Sequence, residues 1–324
     1  MRAAATARAS GSARWRAASM SRSSACSHPG PATCARWPRR WRRSLPSHCA
    51  RFGLPSAARS SPPRHRSSTR LSRVNRSSLL YFYDVAQFND KVDPKDFLKM
   101  PDEYRDLLVR LLTIQADCEI GGPHIYVDHW TLRAPTVDDQ WRVARIAAEE
   151  IDHCRKMLRL LKLIDVDRSD ILERPRSKRE VDAFKEDMPT WADFAAFGFL
   201  IDKVGEYQLD EMIGSTYAPI DDALPVILRE EKGHVAYGEQ QLEKLVKSGD
   251  AGRAQAQAAI DKWYVTGLDM FGKSGSSRTE RYIEWGLKRR TNEEARQQYI
   301  AEMEPKIAAI GLRVPDRLQG RKYL

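Results

Sequence analysis

Two short strings in this sequence carry the residue types a metal ion needs: EEIDH at 149–153 and EEKGH at 230–234. In each, a glutamate stands three residues before a histidine, Glu150 with His153 and Glu231 with His234. On an α-helix that spacing puts both side chains on one face, a turn apart. One carboxylate oxygen and one imidazole nitrogen can then reach the same ion without bending the backbone. Mixed carboxylate and imidazole ligation suits iron or manganese and leaves coordination positions open for oxygen. A lone Glu-x-x-His is usually a surface ion pair. Two of them on separate long helices point to a two-metal site in a helix bundle, which also needs one carboxylate from each of two other helices.

Spacing supplies candidates for those carboxylates. Glu119 lies 31 residues before Glu150, in an otherwise apolar stretch. Asp202 lies 29 residues before Glu231, and Glu206 lies 25 before it. Matching the two halves favours Asp202. Glu206, one turn further on, stays open as an alternate ligand or as a group behind the ligands. Glu149 and Glu230, next to the proposed ligands, read as solvated side chains or as supports for the histidines; each lies four residues before its His, so either stays open as a ligand instead. His124, Asp128 and His129 read as loop residues, and Trp130, Trp141, Trp191 and Trp263 as core anchors.

The elements that must position these residues are helices. Apolar positions recur at helical spacing through long stretches, and no segment alternates strictly between turn residues. The pattern predicts helices over 101–120, 137–164, 190–215 and 225–248, with shorter ones near 252–271, 279–290 and 292–310. Gly121 and Gly122 are expected to end the first helix. Val143, Ala147, Ala148, Ile151, Cys154, Leu158 and Leu161 are expected to form the buried face of the second. The result is one all-α domain, 78–324, built as a ferritin-like four-helix bundle with additional C-terminal helices.

The formal charge of +10 misleads about function. Residues 1–76 contain 17 arginines and no Lys, Asp or Glu, so without them the charge becomes −7. The basic charge is not on a folded face, and no nucleic-acid partner follows from it. Residues 1–77 show no apolar period and cannot bury enough surface to offset the entropy of ordering, so they read as disordered. A transit peptide, a basic arm and out-of-frame translation all fit this segment. The absence of Lys, Asp, Glu, Ile and Asn before Val74 suits the last best. Cys118 and Cys154, the two cysteines beyond the tail, form no disulfide framework or zinc knuckle, consistent with a reducing cytoplasm. The longest apolar-or-Gly run, from Phe194 to Ile201, is far short of a membrane span.

The strings MPDEYRDLLVRLL at 100–112, CEIGG at 118–122, WTLRAPT at 130–136, WADFAAFGFLID at 191–202, DMFG at 269–272, LKRRTNEEARQQY at 287–299 and IGLRVPD at 310–316, together with both Glu-x-x-His strings, resemble the catalytic A subunits of phenylacetyl-CoA epoxidases. The resemblance runs collinearly from about 100 to 316. It implies iron ligands at Glu119, Glu150, His153, Asp202, Glu231 and His234, with Glu119, Glu150 and Glu231 as the catalytic carboxylates. It also implies a di-iron monooxygenase that uses O2 to epoxidise the ring of an aryl-CoA thioester. Electrons would come from a separate reductase carrying FAD and an iron–sulfur cluster and fed by NADPH. The other implied partners are a structural ferritin-like subunit, plus a small accessory subunit. The run Lys288, Arg289, Arg290 then becomes either a solvated helix end or a contact to CoA phosphates. Two features differ from the family pattern: Ile146 stands where the family has Lys, with Arg145 the nearest base, and the family continues beyond the VPD string. A benzoyl-CoA-type epoxidase or hydroxylase is the close alternative. Ferritin-like iron storage does not need the helices after Gly249, and a non-catalytic scaffold would have lost ligands.

A chain starting near Val74 is expected to melt and turn over like the full chain, because residues 1–75 offer no surface to pack. Thermal melts and activity of that truncation check this; a large fall in either would give the arm a role.

Overall fold

Four long helical stretches build the middle of the molecule. They are α1 (Asp102–Trp130), α2 (Val137–Lys162), a run of α3 (Trp191–Ala196), a π-turn (Phe197–Ile201) and α4 (Asp202–Asp210), and α5 (Ile220–Lys247). α6 (Asp250–Met270), α7 (Ser277–Glu284) and α8 (Asn292–Ala309) follow. The computed structural model describes residues 88–323, and the expectations for residues 1–77 lie outside them. Among the described residues the β pairing is a single parallel bridge between Val92 and Tyr217. The chain is all-α and ferritin-like, with additional C-terminal helices.

Local chemistry sets the helix starts. The Thr136 hydroxyl accepts from the Asp139 backbone N–H and opens α2. Thr190 with Asp193 and Thr291 with Glu294 form reciprocal capping boxes at α3 and α8. Asp193 does a second job: the Trp263 indole donates to its other oxygen at 3.0 Å, which ties the start of α3 to α6.

Side chains from these helices fill two apolar clusters, and the helices pass between them in alternating directions. On α2, Val143, Ile146 and Ala147 belong to one cluster, while Cys154, Met157 and Leu161 belong to the other. On α5 the order reverses: Leu224 and Ile227 lie in the second cluster, Val235 and Leu242 in the first. α1 runs against α2, and the α3–α4 run against α5, by the same criterion. Glu150, His153, Glu231 and His234 occupy the layer where the clusters meet.

Three expectations change. First, α1 does not stop at Gly121 but continues through Pro123 to Trp130, so His124, Asp128 and His129 are helical. Gly121 is there for contact, since a Cβ would lie 2.7 Å from the Phe184 ring. Pro123 removes one N–H from the helix ladder, opposite the Glu119 carbonyl. Burial of Ile125, Tyr126 and Trp130 offsets that loss. Second, the buried stripe of α2 keeps Val143, Ala147, Cys154 and Leu161 but is wider on its other side than expected. Asp139, Glu150 and His153 face inward, while Ala148 and Ile151 face solvent. Third, Trp141 is 62% exposed and anchors no core, unlike Trp130 and Trp263.

Residues 165–190 cross from α2 to α3 in short 3-10 turns and are pinned by buried charge. The Arg179 guanidinium, 2% exposed, donates to Asp117 at 2.8 Å, to the Ile171 carbonyl and to His124 Nδ1. The Glu180 N–H donates to the other Asp117 oxygen at 2.8 Å. Asp117 is thus fully paired two residues before Glu119, which fixes that turn of α1.

At the π-turn the α3–α4 run passes very close to α5. A Cβ on Gly238 would lie 2.4 Å from the Phe199 backbone nitrogen and 2.6 Å from the Ala195 carbonyl oxygen. Those are backbone atoms and cannot swing aside. Gly238→Ala is therefore expected to cost about 1–3 kcal/mol, as overpacking does, and to push the helix bearing Asp202 away from α5. Denaturant midpoints check the first effect and metal content the second; a variant as stable as the parent would refute the close contact.

Candidate metal centre

Six side chains from the four bundle helices meet in the layer between the two apolar clusters. Two groups of possible ligand atoms form there, each with all atoms within 4.8 Å of one another. One group is Glu119, Glu150, His153 and Glu231; the other is Glu150, Asp202, Glu231 and His234. Glu150 and Glu231 belong to both, so the arrangement is two adjoining sites with shared carboxylates between them. Glu231 spans the pair visibly: its Oε1 lies 3.1 Å from His153 Nδ1, and its Oε2 lies 3.8 Å from His234 Nδ1. Glu119 Oε2 is 3.3 Å from His153 Nδ1, and Glu150 Oε1 is 3.1 Å from His234 Nδ1.

The outer nitrogens of the imidazoles are held from the opposite helices. His153 Nε2 donates to Glu230 on α5 at 2.9 Å, and His234 Nε2 donates to Glu149 on α2 at 2.9 Å. Arg145 in turn donates to Glu149 at 2.8 Å. These crossed bonds place the ring protons on Nε2 and aim both Nδ1 lone pairs inward. Both Nδ1 atoms are buried and have no hydrogen-bond partner. A metal ion is what such a donor set fits. The four carboxylates of the two groups also match the charge of two divalent cations.

Charge in this layer is strongly perturbed. Burial, then repulsion from Glu150 and Glu231, pushes the Asp202 carboxyl well up. Burial, then Glu231, also raises Glu150. On Glu231 burial acts the same way, but the close approach of the His153 and His234 imidazoles outweighs it and holds the carboxyl down to about 2. Burial lowers His153, yet its contacts with Glu119 and Glu231 win and carry it up to about 12.

Of the two acids considered on α4, the structure brings Asp202 into the cluster. Glu206 accepts instead from Lys203 at 3.1 Å, and Lys203 also pairs with Glu302. The π-turn sits immediately before Asp202; such an insertion re-aims the following side chains and recurs at functional sites. Ile146 is buried against a void of about 10 Å³ lined by Tyr126, Asp202 and His234. Tyr126 buries a hydroxyl there with no partner among the described residues.

Sequence reasoning missed the approach to the cluster. A cleft of about 550 Å³ opens on the surface between α1, α6 and α7. Arg110, Lys273 and Arg278 line it without an ion-pair partner among the described residues. Lys288 lines it too but pairs with Glu211, while Arg289 and Arg290 turn to Asp210. A smaller cavity of about 30 Å³ touches Glu119, Glu150, Asp202 and Glu231. Gln115, Gln208 and Met270 line both spaces. Gln115 carried a sequence signal, since it lies one turn before Glu119 on the same face of α1. The cleft carried none, because its walls come from segments far apart in the chain.

Known proteins match across this same region. A family described as Phenylacetic acid catabolic protein matches residues 91–323. The chain is 28% identical over 229 residues to the A subunit of the 1,2-phenylacetyl-CoA epoxidase of Escherichia coli (strain K12), covering 69% of this chain and 73% of that one. It is 27% identical over 224 residues to Benzoyl-CoA oxygenase component B of Aromatoleum evansii, covering 60% of this chain and 47% of that one. It therefore spans less than half the length of this second relative. The family match takes in all four bundle helices and every residue of both ligand groups, and on that ground the chain belongs to the phenylacetic acid catabolic protein family.

Proposed function

We propose that the chain is the catalytic subunit of a multicomponent di-iron monooxygenase that epoxidises the aromatic ring of phenylacetyl-CoA. The observation that carries this reading is the pair of ligand groups sharing Glu150 and Glu231, near a cleft whose acids are mostly paired and whose Arg110, Lys273 and Arg278 are not. Iron is the metal we assign, because four carboxylates and two imidazoles suit a redox-active first-row ion better than zinc, which favours fewer ligands. Glu119 and His153 would hold one iron, Asp202 and His234 the other, and Glu150 and Glu231 both. Bound there, the irons would supply the reduction of O2 and the transfer of one of its oxygen atoms to the ring, the other leaving as water.

The chain's own residues have three tasks. Glu149 and Glu230 hold the imidazoles in one orientation and tautomer. Cys118, Phe184, Phe197 and Ile201 wall the inner cavity and limit water beside the ligands. Arg110, Lys273 and Arg278 offer unpaired cations to the phosphates of CoA. We assign catalysis wholly to residues 78–324, with residues 1–77 taking no part. Electrons would arrive from a reductase with FAD, an iron–sulfur cluster and NADPH. A structural ferritin-like subunit, with a small accessory one, would complete the assembly; both relatives carry subunit or component in their names. A cytoplasmic setting is supported by two buried free thiols, Cys118 and Cys154. No helix among the described residues is long and apolar enough to cross a membrane. Benzoyl-CoA is the second substrate we consider, on the match to the benzoyl-CoA relative.

Metal analysis after iron-replete expression should give two irons per chain; protein that stays metal-free or holds a single zinc would sink the reading. Asp202→Asn should lose one iron and nearly all activity, because a neutral amide is a poor ligand for a hard ion. Glu206→Gln should keep both irons, since Glu206 spends its charge on Lys203. Iron lost from the Glu206 variant and kept by the Asp202 variant would shift the ligand by one turn. Glu149→Gln keeps the shape but weakens the support of His234, and metal affinity should fall roughly 10–100-fold. A competition titration with a chelator reads that change.

A further inference from the structure

Gln115, Gln208 and Met270 line both the outer cleft and the inner cavity, and these three side chains are the wall, here called the neck, that stands between the two spaces. The walls of the inner cavity beside it are otherwise apolar or are the ligands themselves. Each glutamine uses one amide N–H on the protein. Gln115 donates to Glu119 Oε1 at 2.5 Å, and Gln208 donates to the Met270 backbone carbonyl at 3.2 Å. The second N–H of each has no partner among the described residues. Gln208 is half-buried on α4, one turn after Gly205, and a Cβ on Gly205 would meet nothing within 4 Å. The α4 side of the neck therefore combines an open lane with a spare donor.

Resting on the acyl-CoA reading, we propose that Gln208, assisted by Gln115, is a positioning residue that binds the thioester carbonyl of the substrate at the neck and so sets how far the aryl ring reaches toward the ligand cluster. A thioester is the one strong polar group between the CoA arm and the ring. As the substrate passes a narrow apolar-walled opening its carbonyl oxygen needs a donor, and leaving it unpaired would be costly. A fixed carbonyl makes the distance to the ring a property of the acyl chain. Phenylacetyl and benzoyl thioesters differ by one methylene in that distance, so the amides would discriminate between them. The inner cavity, about 30 Å³, has no room for a ring as it stands. Met270 is the flexible wall of the neck, with an unbranched side chain that can swing aside, while Gln208 is held to the backbone at that residue.

The test compares the iron-loaded parent with Gln208→Leu, which keeps the bulk and removes the donor. Iron content should be unchanged, because Gln208 touches no ligand. Phenylacetyl-CoA should bind roughly tenfold more weakly, while CoA alone binds both proteins equally. The preference in kcat/KM between phenylacetyl-CoA and benzoyl-CoA should shrink toward one, and more of the O2 consumed should go uncoupled from ring oxidation. A merely structural glutamine would leave the preference and the coupling unmoved, whatever it did to stability. Equal binding and an equal substrate preference in parent and variant would overturn the inference while leaving the enzyme reading intact. A parent that binds phenylacetyl-CoA no better than CoA would overturn the substrate reading and the inference with it. Gln208→Asn, which keeps a shorter amide, should restore part of the lost preference.

Discussion

Four carboxylates and two imidazoles share one buried layer of this bundle, and their mutual charge is the constraint the rest of the fold answers to. Isolated charges in such a place are costly, and groups there pair, bind cations or take up protons. Here Glu231 is held by both histidines, while Asp202 and Glu150 are pushed toward their protonated forms. Only cations let all four carboxylates ionise together. Apolar clusters on either side keep water away and raise the stakes of that balance. The crossed bonds from Glu149 and Glu230 then determine which imidazole nitrogen faces inward, and each spans from one motif helix to the other. α2 thus orients the histidine of α5, and α5 that of α2.

Position within the layer depends on where helices are allowed to approach. Gly238 lets α5 touch the backbone of the α3–α4 run at the π-turn, and Asp202 follows that turn directly. Asp is a methylene shorter than Glu, so the helix bearing it must come closer to reach the same centre. The glycine contact supplies that closeness. On α1, a different device does the same work: Asp117 is locked by Arg179 and the Glu180 N–H, which fixes the turn carrying Glu119.

The chemistry of the site is more legible in the sequence than the packing around it. Two Glu-x-x-His strings point to Glu150, His153, Glu231 and His234, because that geometry is local to a helical turn, while the spacings favour Glu119 and Asp202 and leave Glu206 open. The buried face of α2 is harder to read for a related reason. Ile151 and Ala148 look interior because they are apolar, yet the inward face is held by Glu150 and His153, and a helix cannot bury both stripes. Trp141 misleads in the same way. The Gly-Gly-Pro run looks like a helix end because local propensity says so; Phe184 packing on Gly121 overrides it, a contact 63 residues away. The π-turn has no local signal, since nothing in FGFLI differs from ordinary helix.

Size separates the roles of the two spaces. The outer cleft, at about 550 Å³, is in the range of ligand pockets and is edged with unpaired cations. The inner cavity holds little more than one or two water-sized molecules. An ion-storage protein needs a path for ions to the cluster, but in this cleft Glu180, Asp182 and Asp269 are already paired, and three free cations against Glu186 give such a path little. A large anionic molecule with a small apolar end needs both features: cations to hold its charged body outside, and a narrow neutral opening through which only that end passes. The same two features that disfavour storage therefore describe the shape and charge of an aryl thioester of CoA.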